Sequence, residues 1–534
     1  MGCESRHDGG SSRSKELPRH DSPVVELYGM TEIRGMPLII VPYYGEQGLA
    51  AWEWLLGFVY FIGLYLYFSR KKRLGLKTRP EYRHLLWGLF AKVVGGVAFA
   101  LIYFFYYGGG DTIAYFYSAL ALGDLALADP LAYFRVLFGP NDLAHISLFS
   151  GLDVKPLDYI YYDDRSFMVV RIVSVFILIS FKSYLLTTIL LSSVCYAGIW
   201  KCYQMFSEYF PSLIDRFAVG FLYMPSVFFW GSGILKDTVT LSAACWWVYC
   251  FNGIFFKHDH ILKNAVGLAV SAALMVALKP YILMALLPMT VIWLAYFRVA
   301  AMRNTLMRIV ILPLALGVMM AVSYLILVQL GDELGKFSLD EAVETTMVIQ
   351  QDMTRSEQYG GNYFNVGEMD GTVIGLLEKA PIAINAALFR PYLWESDSAV
   401  MVISGLENTF LLGLALLILA RSGLLFFIRC VTGNPIVLLC IAYSVLFGFM
   451  IGITTPNFGA LVRFKIPMLP FLVSGLFIID FLRQQKHLCR TRGFKFDLAV
   501  FRKGEPRYPV SEQVDRHTAG RKAPGMATPG LARA

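Results

Sequence analysis

Charged side chains are scarce in this sequence. Asp, Glu, Lys and Arg make up 16% of its 534 residues, whereas soluble domains carry about 25%. Hydrophobic residues account for 56% and aromatic residues for 15% of the chain. A chain this poor in charge does not fit a soluble domain, and the balance predicts an all-α, polytopic membrane protein.

Motifs for metals and nucleotides are also lacking. The eight cysteines show no CxxC spacing, and the histidines form no HExxH. His258 and His260 flank Asp259 in a short basic loop, which is typical of a solvated connector rather than a metal site. There is no P-loop, and no GxGxxG follows a strand. We therefore expect no cofactor and no nucleic-acid partner, and a divalent metal has no support in the sequence.

Long apolar runs fill the middle of the chain. Residues 1–48 predict a disordered polar segment, residues 49–483 a transmembrane domain, and residues 484–534 a basic, disordered cytoplasmic tail. A spanning helix needs about 20 apolar residues, and about eleven segments qualify. These are 49–68, 85–107, 183–203, 217–235, 238–255, 264–279, 281–297, 309–330, 398–420, 435–454 and 466–482. Residues 166–181 are shorter and could form a twelfth span, but that span would put the later basic connectors outside, so we interpret them as an interfacial or re-entrant helix.

The distribution of basic residues predicts the orientation. Segment 69–84 carries seven Lys and Arg residues and is therefore expected on the cytoplasmic side. Alternation then puts loops 108–165 and 331–397 outside, and the first of these holds eight Asp against three Lys or Arg. The other cytoplasmic stretches would be 204–216, 256–263, 298–308, 421–434 and the residues after 482. The sequence thus predicts a multi-pass protein of the inner (plasma) membrane.

Several unusual residues fall on the predicted outer face. Asp111 follows three glycines in GGGDTIAYF, where a ligand can approach the backbone or the carboxylate can simply cap a helix. Lys236 and Asp237 lie at the tip of a hairpin between two predicted spans, after MPSVFFWGSGIL. Lys279 precedes Pro280 at another outer turn, where a snorkelling lysine is the alternative interpretation.

Three more cations lie near the last spans. Arg390 occurs in LFRPYLWE, and Arg463 and Lys465 occur in PNFGALVRFKIPMLP. Outer cations are scarce here and lie beside Pro and Gly, so a bound anion is favoured over lipid headgroup anchors. Glu407 falls about 15 Å into the ninth predicted span at 1.5 Å per residue. It is a functional candidate, or it pairs with Lys92 or Arg171.

The two long outer loops have different patterns. Residues 112–138 predict two amphipathic surface helices broken at Asp129-Pro130. Loop 331–397, with its central QYGGNYFNVGEMDG, is long enough to cover a cleft or bind substrate. Such a layout suits a sugar carried on a lipid phosphate. Arg and Lys hold the phosphate, and a carboxylate accepts the proton of the acceptor hydroxyl.

These motifs resemble the GT-C superfamily of membrane glycosyltransferases, which use polyprenyl-phosphate-linked sugars. Asp111 matches the acid of that family's first outer loop, and MPSVFFWGSGILKD is similar to its next outer acidic motif, with Asp237 as the acid. The chain has Asp111-Thr112 where many relatives have Asp-Glu. The resemblance implies that Asp111 and Asp237 are catalytic, and a lysine such as Lys279 recurs in that family at the end of a later span. From the layout of charges, we expect substrate contacts from Lys236, Lys279, Arg390, Glu407, Arg463 and Lys465. The expected partners are a polyprenyl-phosphate-linked donor, a glycan or lipid acceptor, and membrane lipids.

Three alternatives remain. NFGALVRFKIPMLPF and LFRPYLWE also resemble bacterial polysaccharide repeat-unit polymerases of the O-antigen and exopolysaccharide type. From another class, a transporter or lipid flippase places polar groups near the midplane, as Glu407 would be. A purely structural membrane protein is the third alternative.

Overall fold

A computed structural model of the protein describes residues 49–300, 363–365, 367, 373–396 and 398–505. Within these residues the regular secondary structure is helical, apart from two isolated β-bridges, and the predicted all-α class is confirmed. The longer helices are numbered in chain order: α1 Ala51–Gly75, α2 Leu85–Leu101, α3 Asp111–Ala128, α4 Pro130–Phe138, α5 Asp164–Ile179, α6 Tyr184–Tyr209, α7 Lys236–Asn252, α8 Ile261–Leu278, α9 Pro280–Ala300, α10 Ala380–Phe389, α11 Ala399–Ser422, α12 Leu424–Gly433, α13 Pro435–Thr454, α14 Phe458–Phe464 and α15 Leu469–Thr491.

Seven helices in the described part of the chain are long and apolar enough to cross a membrane. They comprise α1, α2 with its flanking turns, α6, α7 with its last turn, α8, α11 and α13. An eighth span results if α14 and α15, which are bent by 66° at their junction, count as one. This is the architecture of a membrane-embedded helical bundle. The predicted number of eleven spans is not reached within the described residues, and segment 309–330 lies outside them.

One predicted span is wrong. Residues 217–235 do not form a continuous helix but a short helix Ile214–Ala218, a π-turn Val219–Tyr223, a second short helix Pro225–Phe228 and then turns. Pro225 has no N–H to continue the helical hydrogen-bond ladder, and the helix breaks before it. Where a chain inside a membrane is not helical, its backbone N–H and C=O groups lack their helical partners. Such a segment is tolerated only if other parts of the protein form hydrogen bonds with these groups.

Lys92 on α2 satisfies two of those backbone groups. Its ammonium donates to the carbonyl of Val227 at 3.3 Å and also to the carbonyl of Gly231. The two segments approach closely, because a Cβ added at Gly95 on α2 would lie 2.0 Å from the carbonyl oxygen of Phe228. The glycine at 95 therefore permits the contact that holds the broken segment in place.

The predicted cytoplasmic stretches meet at one end of the bundle, here called the basic end. Ion pairs and hydrogen bonds join them: Arg79–Glu208 at 2.8 Å, Arg83–Asp215 at 2.7 Å, Lys257–Glu208, and Ser212–Glu505 at 2.5 Å. These contacts bring together segments 69–84, 204–216, 256–263 and the residues after 482, as the charge pattern predicts. The compartment that this end faces is a prediction from the positive-inside rule.

Helix α5 does not pass through the bundle. Its N-cap residue, Asp163, lies 3.3 Å from Lys236 at the start of α7. Ser180 follows its last turn, and the hydroxyl of Ser180 forms a hydrogen bond of 2.6 Å with that of Thr187, near the start of α6. Helices α6 and α7 run side by side in the same direction, since Tyr209 at the end of α6 donates to Asn252 at the end of α7. Both ends of α5 therefore lie at the same end of the bundle, which supports its interpretation as an interfacial or re-entrant helix.

The first long loop is only partly as predicted. The helix break at Asp129-Pro130 is confirmed, because the Asp129 carboxylate caps α4 by accepting the amides of Leu131 and Ala132 at 3.0 and 3.1 Å. However, α3 is not an amphipathic surface helix. Twelve of its 18 residues are buried because it packs along α5. Only α4 keeps an exposed apolar face, which includes Phe134 and Phe138.

The predicted disordered tail is wrong in its first part. Helix α15 continues to Thr491, and the buried Phe501 packs on Phe481 with ring centroids 6.0 Å apart. The described residues do not include residues 1–48, most of loop 331–397 or residues 506–534. The predictions made for these segments therefore stay predictions. The seven described cysteines are all buried and unpaired.

Candidate functional site

Asp111 begins α3 at the end of the bundle opposite the basic end. Gly110, which precedes it, has a φ of +103°, a conformation that suits glycine, and the turn aims Asp111 at the bundle. The carboxylate of Asp111 lies 3.0 Å from Nη2 of Arg463, at the last turn of α14. The Asp111 side chain is 54% exposed and that of Arg463 only 18%. The pair thus combines a solvent-accessible acid with a largely buried cation.

Arg463 also reaches a second carboxylate. Its Nη2 lies 3.9 Å from Oδ2 of Asp237, in the first turn of α7. Within the described residues, Oδ2 of Asp237 and Nε of Arg463 are buried and have no hydrogen-bond partner. Tyr103 lies beside the guanidinium. Unpaired buried polar atoms cost free energy, so this corner is suited to a further polar ligand.

Lys279 forms an ion pair with the other carboxylate oxygen of Asp237. The ammonium of Lys279 donates to Oδ1 of Asp237 at 2.5 Å, and both side chains are almost fully buried, with 7% and 1% exposed. Lys279 occupies the break between α8 and α9, since Pro280 starts the new helix. Its ammonium also lies 3.7 Å from the centroid of the Phe464 ring, a cation–π contact. The snorkelling alternative for Lys279 is therefore wrong.

Lys236 pairs with a residue that the sequence did not single out. Its ammonium donates to Oδ2 of Asp163 at 3.3 Å. Burial alone would raise the pKa of Asp163. The hydroxyl of Ser166 and the charge of Lys236 outweigh it and hold the pKa below its usual range. The acid-rich loop 108–165 indicated that a carboxylate would lie near the outer cations. It did not indicate which of its eight aspartates would pair with Lys236.

Glu407, Asn408 and Lys465 form a second cluster beside α14. Lys465 donates to Oδ1 of Asn408 at 2.5 Å and to the carbonyl of Arg390 at 3.2 Å, and it is fully buried. Glu407 is buried too, and its Oε2 accepts the amide of Ser226 at 2.6 Å. Ser226 belongs to the short helix Pro225–Phe228, so Glu407 fixes the broken segment described above.

The predicted partners of Glu407 are wrong. Lys92 donates to backbone carbonyls, and Arg171 donates to Asn141 at 2.8 Å and to the carbonyl of Gly139. Oε1 of Glu407 has no hydrogen-bond partner within the described residues. Glu407 is thus a buried carboxylate with one oxygen committed to the fold and one not.

Arg390 is engaged by its own segment. Its Nε donates to Glu395 at 3.1 Å, and Nη2 contacts the same carboxylate. The guanidinium lies 5.1 Å from the ring centroid of Phe364 and 5.2 Å from that of Phe458. Phe364 belongs to loop 331–397, and its amide donates to the carbonyl of Pro456 at 3.1 Å. The described part of that loop therefore lies beside α14.

The structure divides the predicted site residues into two adjoining groups. Asp111, Lys236, Asp237, Lys279 and Arg463 form one network, here called the rim network. Arg390, Glu407 and Lys465 form the other, and α14 lies between the two. Contacts of 3.9 Å or less link Asp111, Arg463, Asp237 and Lys279, and Lys236 precedes Asp237 in the chain, so all five residues lie at the same end of the bundle.

Each cation of the rim network has a carboxylate partner. Three cations (Lys236, Lys279, Arg463) face three carboxylates (Asp111, Asp163, Asp237). An anionic ligand that binds one of these cations would therefore displace a carboxylate. The exchange costs less at the two partly exposed pairs, Asp111 with Arg463 and Asp163 with Lys236, than at the buried pair of Asp237 with Lys279. Within the described residues, no group of three His, Cys, Asp or Glu side chains is arranged to hold a metal ion.

Comparison with known proteins yields no match: neither a protein-family profile, nor a curated protein, nor a solved structure resembles this chain significantly.

Proposed function

We propose that this protein is an integral-membrane glycosyltransferase that moves a sugar from a polyprenyl-phosphate-linked donor to a glycan or lipid acceptor. The observation that carries the proposal is the pair of Asp111 and Arg463. It joins an exposed carboxylate to a cation that is braced from behind by Asp237, at one end of a membrane bundle. A lipid-linked phosphate reaches a protein at this headgroup depth.

Donor binding is an exchange of partners. The donor phosphate takes the guanidinium of Arg463, which offers two parallel N–H donors. Lys236, next to Asp237 in the chain, adds a second positive charge when it exchanges its partner Asp163 in the same way. Asp111 then loses its partner and is free to accept a proton. Asp237 and Lys279 are buried and act as positioning residues that keep Arg463 in place.

The transfer step balances without a cofactor. The acceptor hydroxyl gives its proton to Asp111 and its oxygen bonds to the anomeric carbon, while the bond from that carbon to the phosphate oxygen breaks. The leaving polyprenyl phosphate keeps the electron pair, and Arg463 and Lys236 stabilise its added negative charge. With a diphosphate donor carrying a whole repeat unit, the same step describes the polysaccharide polymerase alternative.

The cellular location follows from the positive-inside rule. If the basic end faces the cytoplasm, the rim network lies at the extracytoplasmic face of the inner (plasma) membrane. The donor would then be used on the side where envelope polysaccharides are assembled.

The test is transfer of labelled sugar in vesicles that contain the protein and a polyprenyl-phosphate-linked donor. Asp111→Asn should abolish transfer while donor binding persists. The matched control is Asp153→Asn, which changes an exposed acid of the same loop and should transfer normally. Full transfer by Asp111→Asn would overturn the assignment. Mass spectrometry of lipid-linked glycans separates the two enzymes, since loss of a polymerase accumulates single repeat units.

A transporter is the second candidate, favoured by the discontinuous segment 214–235 and by the buried Glu407 that binds it. Broken helices with buried charges line substrate sites in transporters. In proteoliposomes without any acceptor, an enzyme leaves a lipid-linked donor in the leaflet where it was added. Movement of donor across the bilayer that is lost in Glu407→Ala, but kept in Asp111→Asn, would favour transport.

A further inference from the structure

A groove of about 450 Å³ runs along α7, away from the rim network. Helices α6 and α8 form its sides, and α5 contributes to one end. Its walls are apolar over most of their length and include Ile172, Phe176, Leu191, Val239, Val266 and Val270. Between Val239 and Tyr249 the lining extends over ten residues of α7, or about 15 Å at 1.5 Å per residue.

The open side of this groove lies at the outer surface of the bundle. Val194, Val266 and Val270 line it and remain 58%, 56% and 52% exposed. The three helices that carry these walls are all long and apolar enough to cross a membrane. An apolar groove on such helices is filled by hydrocarbon when the protein is in a bilayer.

The far end of the groove is positively charged. Lys201 and Lys263 line it, and no ion pair holds either of them within the described part of the chain. The Lys201 ammonium lies 5.3 Å from the ring centroid of Tyr249. Lys71 and Arg79 add to the positive field there, whereas Glu208 opposes it.

Only one acid lines the groove among the described residues, namely Asp259. Its carboxylate lies 3.4 Å from Nε2 of His260 and is 60% exposed. The two lysines therefore leave the groove end with an excess of positive charge that the protein does not neutralise.

We propose that this groove binds a glycerophospholipid with an anionic headgroup. The headgroup phosphate lies between Lys201 and Lys263, and an acyl chain follows α7 toward Val239. Basic pockets between transmembrane helices are suited to anionic headgroups. Asp237 of the rim network is twelve residues from Tyr249, about 18 Å along α7. The lipid site is thus separate from the site of the proposed sugar transfer and does not depend on it.

The experiment is native mass spectrometry of the delipidated full chain with phosphatidylglycerol or phosphatidylcholine of identical acyl chains. We expect the wild type to retain phosphatidylglycerol more tightly. A basic residue near an anionic lipid surface contributes a factor of about five. Lys201→Gln with Lys263→Gln should therefore weaken phosphatidylglycerol about 25-fold and leave phosphatidylcholine unchanged.

Two further variants serve as a charge control and as a test of groove occupation. Lys182→Gln changes an exposed lysine that is paired with Asp124 and precedes the start of α6, at the other end of that helix from Lys201, and it should behave as wild type. Val270→Trp fills the groove from its exposed side and should weaken both lipids. Equal retention of the two lipids by the wild type, or unchanged phosphatidylglycerol binding in the double variant, overturns the proposal. Displacement of phosphatidylglycerol by free glycerol 3-phosphate would overturn it in favour of a soluble phosphate ligand.

Discussion

Arg463 and Asp111 are 352 positions apart in the chain, yet Nη2 of Arg463 lies 3.0 Å from the Asp111 carboxylate. The contact joins the first long loop to the last turn before the final helix. Because Arg463 also lies 3.9 Å from Asp237, it connects an exposed acid with a buried one. One side chain of α14 therefore contacts both α3 and α7 at this end of the bundle.

Arg463→Gln should lower sugar transfer about 10²- to 10³-fold, the usual effect of removing a donor to a developing anion. Arg463→Lys keeps the charge but loses the paired N–H groups, so it should restore stability more fully than activity. Transfer assays and thermal unfolding in detergent measure the two effects. Arg135→Gln is the matched control, since Arg135 is an exposed arginine of the neighbouring α4. Equal activity of the Gln and Lys variants would contradict the role.

Lys279 and Asp237 should show strong energetic coupling. Removing either partner leaves a buried charge unpaired, and each of Lys279→Met and Asp237→Leu should lower the free energy of unfolding by about 3–5 kcal/mol. The double variant leaves no such charge on this pair and should be destabilised by far less than the sum. A double-mutant cycle from denaturation in detergent measures the coupling. Simple additivity would show that the pair is not a unit.

Asp163 should contribute a pH-dependent stability. The pKa of Asp163 is held below its usual range, because Ser166 and Lys236 outweigh the effect of burial. A lowered pKa stabilises the fold above the unfolded value, about 3.9, and the effect disappears as the pH falls through the folded value.

Asp163→Asn should therefore lower the Tm at pH 6 and have progressively less effect toward pH 3. Melting curves across this range, with Asp153→Asn as the control, provide the measurement. A Tm difference that stays constant with pH would contradict the assignment of the charge.

Gly95 and Gly63 form a matched pair of helical glycines. A Cβ at Gly95 would lie 2.0 Å from the backbone oxygen of Phe228, whereas a Cβ at Gly63 would meet nothing within 4 Å. Gly95→Ala should destabilise the protein by about 1–3 kcal/mol through overpacking. Gly63→Ala should be neutral or stabilise it by up to about 1 kcal/mol. Thermal unfolding of both variants tests the close packing of α2 on the broken segment, and a similar Tm for the two would count against it.

Much of the candidate site was visible in the sequence because charge is rare in it. Asp111 after three glycines and Lys279 before a proline are conspicuous in an apolar chain, and positive-inside alternation assigned them to one side. Arg463 and Asp237 were also visible, but which residues pair with each other was not. Arg463 meets Asp111 close to the point where the chain bends by 66° between α14 and α15, and a bend of that kind depends on tertiary packing.

The errors have equally local causes. Hydropathy stays high through residues 217–235, so composition cannot separate a spanning helix from a broken segment that the protein itself surrounds. Pro225 was the signal of the break. Helix α3 was mistaken for a surface helix because its burial comes from α5, which the sequence does not place. Asp163 was missed because eight Asp residues in one loop give no sign of which one meets Lys236.

The burial of every described cysteine has a practical consequence. A membrane-impermeant thiol reagent finds little native sulfur to attack among these seven cysteines, and Cys3, which lies outside the described residues, can be replaced. One cysteine introduced at residue 153 and another at residue 260 would therefore each report its own compartment. Opposite labelling of the two would orient the whole bundle without further engineering.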